Sequence, residues 1–180
     1  MAPSKSADLI LHPVRLQILQ TLLGGRELTT AEIGGELPEI PAATLYRHVA
    51  TLAKAGVLEV VRERPVRGTT ERTYRLELER TSVDENELSA MTPEDHRRAF
   101  TGFVAGLLQA FDRYVEDGSA DLKRDGAGYR QTALWLDDEE LADLVAKMQG
   151  AIAGAAANGP GEGRRRRILS TVLIPTGQEG

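Results

Sequence analysis

Residues 41–56, Pro-Ala-Ala-Thr-Leu-Tyr-Arg-His-Val-Ala-Thr-Leu-Ala-Lys-Ala-Gly, constrain the fold more than any other stretch of this chain. Leu45, Val49 and Leu52 recur at helical spacing, which predicts a short helix with one stripe against a core. Thr44, Tyr46, Arg47 and Thr51 fall elsewhere on the wheel and carry groups able to meet phosphates and base edges. Pro41 suits the first turn, where its missing N–H costs nothing. Gly56 suits the left-handed position just past the end.

The flanking sequence predicts the partners of that helix. His12-Pro13 opens a first helix running to about Leu23, with Val14, Ile18, Leu19 and Leu22 as its buried stripe. Thr29 followed by Glu32 is a capping box, so a second helix starts there with Ile33 and Leu37 inward. Gly34-Gly35 lies inside it, where each glycine costs up to ~1 kcal/mol against alanine. Either the pair allows close approach to the third helix, or the second helix is weak. Pro38 to Pro41 makes the turn. After Gly56 the period drops from 3.6 to 2: Leu58 and Val60 alternate with exposed neighbours, as do Tyr74, Leu76 and Leu78. Arg64-Pro-Val-Arg-Gly-Thr-Thr between the runs predicts a hairpin with a basic tip. A helix placed after a tight turn and before a basic hairpin is how a winged helix-turn-helix reads DNA.

The second half reads differently. Residues 81–91 are polar and acidic and form a linker. Thr92-Pro93 caps a long helix to about Glu116, striped by Phe100, Phe103, Val104, Leu107, Phe111 and Tyr114. Tyr129–Leu136 reads as a strand, Asp138 to about Ala157 as a helix, and Arg164–Ile174 as a last strand. The expected class is α+β. Three helices and a hairpin wing occupy residues 1–80, and a helix–strand–helix–strand region over 92–180 serves dimerisation and, in a second reading, effector binding.

The net charge of −5 looks wrong for a nucleic-acid binder until the chain is divided. Residues 40–75 hold seven basic residues against three acids, a local net of +4, whereas residues 81–180 carry −6. Local charge governs a contact because salt screens the field within about 8 Å. The absence of cysteine rules out disulfides and thiolate metal sites. The three histidines come without any hydrolase, phosphate-loop or dinucleotide motif, so neither enzyme activity nor a cofactor or metal is expected. No apolar stretch is long enough to span a membrane, and a cytoplasmic protein is the default expectation.

His12-Pro13-Val14-Arg15-Leu16-Gln17-Ile18-Leu19, then Thr44-Leu45-Tyr46-Arg47-His48-Val49, then Leu52-Ala53-Lys54-Ala55-Gly56-Val57-Leu58 resemble the ArsR-like winged-helix transcriptional regulators of bacteria, in order and spacing, over residues 9–78. The resemblance implies a homodimer on a palindromic operator in double-stranded DNA, often a repressor released by a ligand. It places Thr44, Tyr46 and Arg47, with Ala43 and His48 beside them, on the recognition helix. It places Arg62, Arg64, Arg67, Thr69, Thr70 and Arg72 on the wing. The founding members sense metal through cysteines, which this chain lacks. Its longer second half resembles a branch with an appended C-terminal domain.

Each of these residues also has an ordinary structural reading. Arg47 reaches a phosphate or guanine, or is merely solvated. Tyr46 meets DNA or covers the helix edge. His48 meets a phosphate or packs. The wing arginines contact the backbone or only keep a strand soluble. Phe100, Phe103, Leu107, Phe111 and Tyr114 form a core or dimer seam in preference to a pocket for a small-molecule effector, and Trp135 packs in a sheet or lines that pocket. Arg164 to Arg167 bind an anion or lead into a strand, and Gly102-x-x-x-Gly106 brings helices close or arises by chance. The leading expectation is a dimeric regulator on an inverted repeat; the alternative is a winged helix used as a protein-interaction module.

Overall fold

The computed structural model describes residues 5–66, 68–81, 85–116 and 118–176. It divides into two compact units, Met1–Asp112 with Ser170–Gly180, and Arg113–Leu169.

The first unit begins with α1 (Lys5–Ile10) and α2 (Pro13–Leu22). His12 ends the gap between them: its Nδ1 accepts the Val14 N–H at 3.2 Å, and Pro13 takes the first helical position. β1 (Glu27–Thr29) leads into α3 (Thr30–Glu36), whose capping box closes in both directions between Thr29 and Glu32. α4 (Ala42–Lys54) follows, with Pro41 as its N-cap and no side-chain cap. Gly56, at φ 75°, makes the left-handed exit that the sequence predicts. β2 (Leu58–Val66) and β3 (Thr69–Leu76) form an antiparallel hairpin, and β1 joins the far edge of β3. Ile18, Leu22, Ile33, Leu37, Leu45, Val49 and Leu52 meet in one aliphatic core, which Leu58, Tyr74 and Leu76 close from the sheet side. At Gly34 an added Cβ would lie 3.1 Å from Leu45 Cδ2, so this glycine permits close approach of α3 to α4; Gly35 faces open space.

Two residues of the predicted alternation are exposed. Val60 keeps the face of Leu58 and pairs with Tyr74, but it is exposed, and beyond it a bulge before Arg62 interrupts the period. Leu78 falls in a 3-10 turn beyond β3 and is exposed as well. β1 escapes prediction because three residues are too few for alternation to show. A short helix, α5 (Glu85–Ser89), forms inside the predicted linker.

α6 (Pro93–Glu116) is the long helix the sequence predicts. Its buried positions in the first unit are Gly102 and Gly106, so the glycine pair is a packing surface. Gly102 lies over Pro13 and Gly106 over Gln20, whose Nε2 also donates to the Phe103 carbonyl at 3.3 Å. A Cβ at position 102 would sit 2.6 Å from the Pro13 Cα, a backbone atom that cannot rotate away. Gly102→Ala is therefore expected to lower stability by ~1–3 kcal/mol despite its gain in helix propensity. Gly106→Ala should cost less, because it meets a side chain end. An unchanged urea midpoint for Gly102→Ala would show that α6 does not seat on Pro13.

The second unit holds the end of α6, α7 (Leu122–Asp125) and α8 (Asp138–Ala156). Asp137 and Glu140 close the capping box of α8. Tyr114 donates to Asp125 Oδ2 at 3.0 Å. The predicted strands 129–136 and 164–174 are a correction. Both segments run without helix, turn or bend, yet among the described residues the only sheet is β1-β3-β2. Apolar patterning makes a strand only where a neighbour completes the hydrogen-bond ladder, and the described residues of the single chain supply none here. The described C-terminal order is therefore helix, short helix, helix, with two extended segments outside any sheet.

Candidate nucleic-acid interface

α4 is the candidate interface element because its two faces are separated by burial. Leu45, Val49 and Leu52 are 2% exposed or less. On the opposite side Ala42, Ala43, Tyr46, Arg47, Ala50 and Lys54 are exposed, and Thr44 is half-buried. The alanines keep that face low, so the backbone can approach a groove while Arg47 and Lys54 project. Thr51 is turned back on the helix, donating to the Arg47 carbonyl at 2.8 Å. Lys54 and Ala50 extend the predicted set. Their signal was the helical spacing 43, 47, 50, 54, which puts them on one line with Arg47.

His48 does not join this face. It is 6% exposed, and its ring lies 4.6 Å from that of His12, centre to centre. The packing alternative is the one its position fits. Burial, with the positive charges of His12, Arg15 and Arg47, lowers its pKa to about 4. His12 is lowered too, by burial and then by Arg15, Arg47 and Arg98. Burial and the neighbouring guanidiniums of Arg15 and Arg47 oppose protonation of both imidazoles, which marks a positive field where the start of α2 meets α4. That field is suited to phosphate.

The hairpin presents its arginines in a form the sequence does not reveal. Arg72 pairs with Glu63 at 2.8 Å and Arg75 with Glu59 at 2.8 Å, each with its direct cross-strand partner in the ladder. Arg62 and Arg75 both approach Glu27 of β1, at 3.8 and 3.7 Å. These pairs are about half exposed and screened by solvent, so a phosphate can displace the acid. Arg64 and Thr70 are exposed near the hairpin tip. Arg67 lies outside the described residues, and of Thr69 only the strand position is described.

Of the stripe on α6, Phe100 is 45% exposed, Leu107 40% and Phe111 38%, while Phe103 and Tyr114 are half-buried. Phe100 and Phe103 stack with ring centres 6.2 Å apart. With Pro93, His96, Arg97 and residues 171–174 they line an open groove of about 660 Å³. Trp135 belongs to the other unit and is 83% exposed.

Residues 10–61 match the model of a helix-turn-helix domain, a span that covers α2, β1, α3, α4 and the first residues of β2. No curated protein matches the chain. The matched segment and the helix order agree, so the N-terminal part of the first unit is a helix-turn-helix domain, the mark of a DNA-binding regulator. Among the described residues no helix is long and apolar enough to cross a membrane.

Proposed function

We propose that this chain is a sequence-specific transcriptional regulator of double-stranded DNA, a cytoplasmic bacterial protein of the ArsR-like winged-helix kind. In this reading α4 enters the major groove, the β2–β3 hairpin is the wing over the phosphate backbone, and residues 92–180 hold a homodimer. Two heads would then meet successive major grooves about 34 Å apart on an inverted repeat. Repression follows from the same reading, as an operator covered by a dimer excludes other proteins. One observation carries the proposal: the exposed face of α4 is cationic and low-profiled, while its other face is sealed into the core of a helix-turn-helix domain.

Binding of the protein to its own upstream DNA, titrated against salt, tests it. Arg47→Ala is expected to weaken binding by ~1–3 kcal/mol, a factor of about 5–150, with the melting temperature unchanged. Affinity should fall steeply with salt, since phosphate contacts release counterions. The protein-interaction reading draws on the acidic total and the internally paired hairpin arginines. It predicts weak binding, insensitive to salt and equal for Arg47→Ala on any sequence, and that result would displace the DNA reading.

A further inference from the structure

We infer that Arg98, near the start of α6, is a backbone-phosphate contact that extends the proposed DNA surface from α4 across the start of α2. This rests on the DNA reading above and adds to it a contact from outside the matched segment 10–61. All the residues concerned belong to the first unit.

Helix packing brings the charges together. His12 caps α2, His48 is a buried residue of α4, and their rings lie 4.6 Å apart. That contact sets the start of α2 against the middle of α4, next to Arg47. α6 arrives at the same place. Its Gly102 lies over Pro13 and its Gly106 over Gln20, so the two helices run in the same sense across their contact. Arg98 precedes Gly102 by four residues, one turn back on the same side of the helix and about 6 Å along its axis. That turn reaches the N-terminal end of α2, where His12 stands. The electrostatics agree: Arg15, Arg47 and Arg98 all oppose protonation of His12. Guanidiniums from α2, α4 and α6 thus gather around one pair of rings.

Arg98 is held loosely enough to change partner. Its side chain is 59% exposed, and its ion pair with Asp95 is 3.6 Å long, beyond a good hydrogen bond. Asp95 is engaged elsewhere, since its Oδ2 accepts the Thr92 N–H at 3.1 Å and the Thr92 hydroxyl at 2.6 Å in the cap of α6. Arg97 beside it is held differently, with Glu94 at 2.5 Å from its guanidinium. Like charges brought to one place repel, and a bound anion relieves that repulsion. The anion is a DNA phosphate because Arg47 belongs to the exposed face of α4. Arg47 and Arg98 are both exposed, which leaves an open edge suited to a strand running past. The helix that begins the C-terminal half therefore also touches the DNA.

The test is a salt titration of DNA binding by the full chain, on its own upstream DNA and on a random duplex of equal length. Arg98→Gln, Arg98→Lys and Arg97→Gln are compared with the parent, and urea unfolding confirms that each is folded. A lost phosphate contact lowers the slope of log affinity against log salt by about 0.9, so for each chain bound Arg98→Gln should lose about 3.5-fold less affinity than the parent between 50 and 200 mM salt. The weakening at low salt should be the same on both duplexes, because a phosphate contact carries no sequence information. Arg98→Lys should keep the parent's slope, and Arg97→Gln, which removes the same charge one position away, should keep it too. An unchanged slope in Arg98→Gln, or an equal loss in Arg97→Gln, overturns the contact. If the parent's binding is then still steep in salt and lost in Arg47→Ala, the DNA reading stands without it. A parent that binds weakly and without salt dependence overturns both.

Discussion

Leu52→Ala is expected to lower the unfolding free energy by ~2–5 kcal/mol, the range for removing a large aliphatic side chain from a packed core. Leu52 is fully buried on α4 among residues of α2, α3 and the sheet. Its loss leaves a cavity that the aliphatic neighbours cannot fill without moving helices. The same variant, studied well below its melting temperature, should bind DNA nearly as well as the parent, because position 52 lies opposite the exposed face. Arg47→Ala should do the reverse, losing affinity and keeping stability. Urea unfolding and DNA titration of both variants read the two faces of one helix separately. An unshifted urea midpoint for Leu52→Ala would mean that the core does not close over α4 as described.

That separation of faces was legible in the sequence because it rests on local rules. Leu45, Val49 and Leu52 follow the helical repeat, Thr29 and Glu32 cap α3, and Gly56 ends α4 with a positive φ. Each signal needs only residues within about one or two turns. What the sequence concealed depends on partners far along the chain. The glycine pair at 102 and 106 gains meaning only against Pro13 and Gln20. The hairpin arginines look like five free cations until the register sets Arg72 against Glu63 and Arg75 against Glu59. Val60 shares the strand face of buried Leu58 and pairs with Tyr74, and its exposure is not announced by the alternation. The segments 129–136 and 164–174 have strand patterning without a ladder, since pairing is a property of two segments and not of one.

The hairpin pairs also bear on affinity. A phosphate must displace Glu63 from Arg72 or Glu59 from Arg75, so each contact gains less than an unpaired arginine would. Arg47 and Lys54 on α4 face no such exchange among the described ion pairs. In the proposed DNA reading, α4 supplies most of the electrostatic gain and the hairpin mainly orients the head.

Stability is expected to fall by ~2 kcal/mol as pH drops from 6.5 to 5, through His48 alone. Its pKa lies near 4 in the folded chain, against the ordinary 6.5, because burial and the neighbouring charges of His12, Arg15 and Arg47 oppose protonation. Above pH 6.5 the imidazole is neutral in both states and contributes nothing. Between 6.5 and 4 the unfolded chain takes up the proton and the folded one does not, so acid favours unfolding. Below 4 both are charged and the loss levels off at about 3 kcal/mol, since each tenfold difference in proton affinity between the two states is worth ~1.36 kcal/mol. His12, lowered for similar reasons, acts in the same direction. Carboxylates with lowered pKa, such as Glu32 and Asp95, add their losses at more acidic pH, so the window from 6.5 to 5 isolates the histidines. Urea unfolding at several pH values, with His48→Leu alongside, measures the slope. The variant should lose most of it; an equal slope in both proteins would remove His48 as the cause. DNA binding gives an independent check. A histidine touching phosphate would strengthen binding as pH falls through 6.5, whereas the buried, neutral His48 should leave affinity unmoved by its own titration across that range, so that affinity in His48→Leu follows the parent's pH profile.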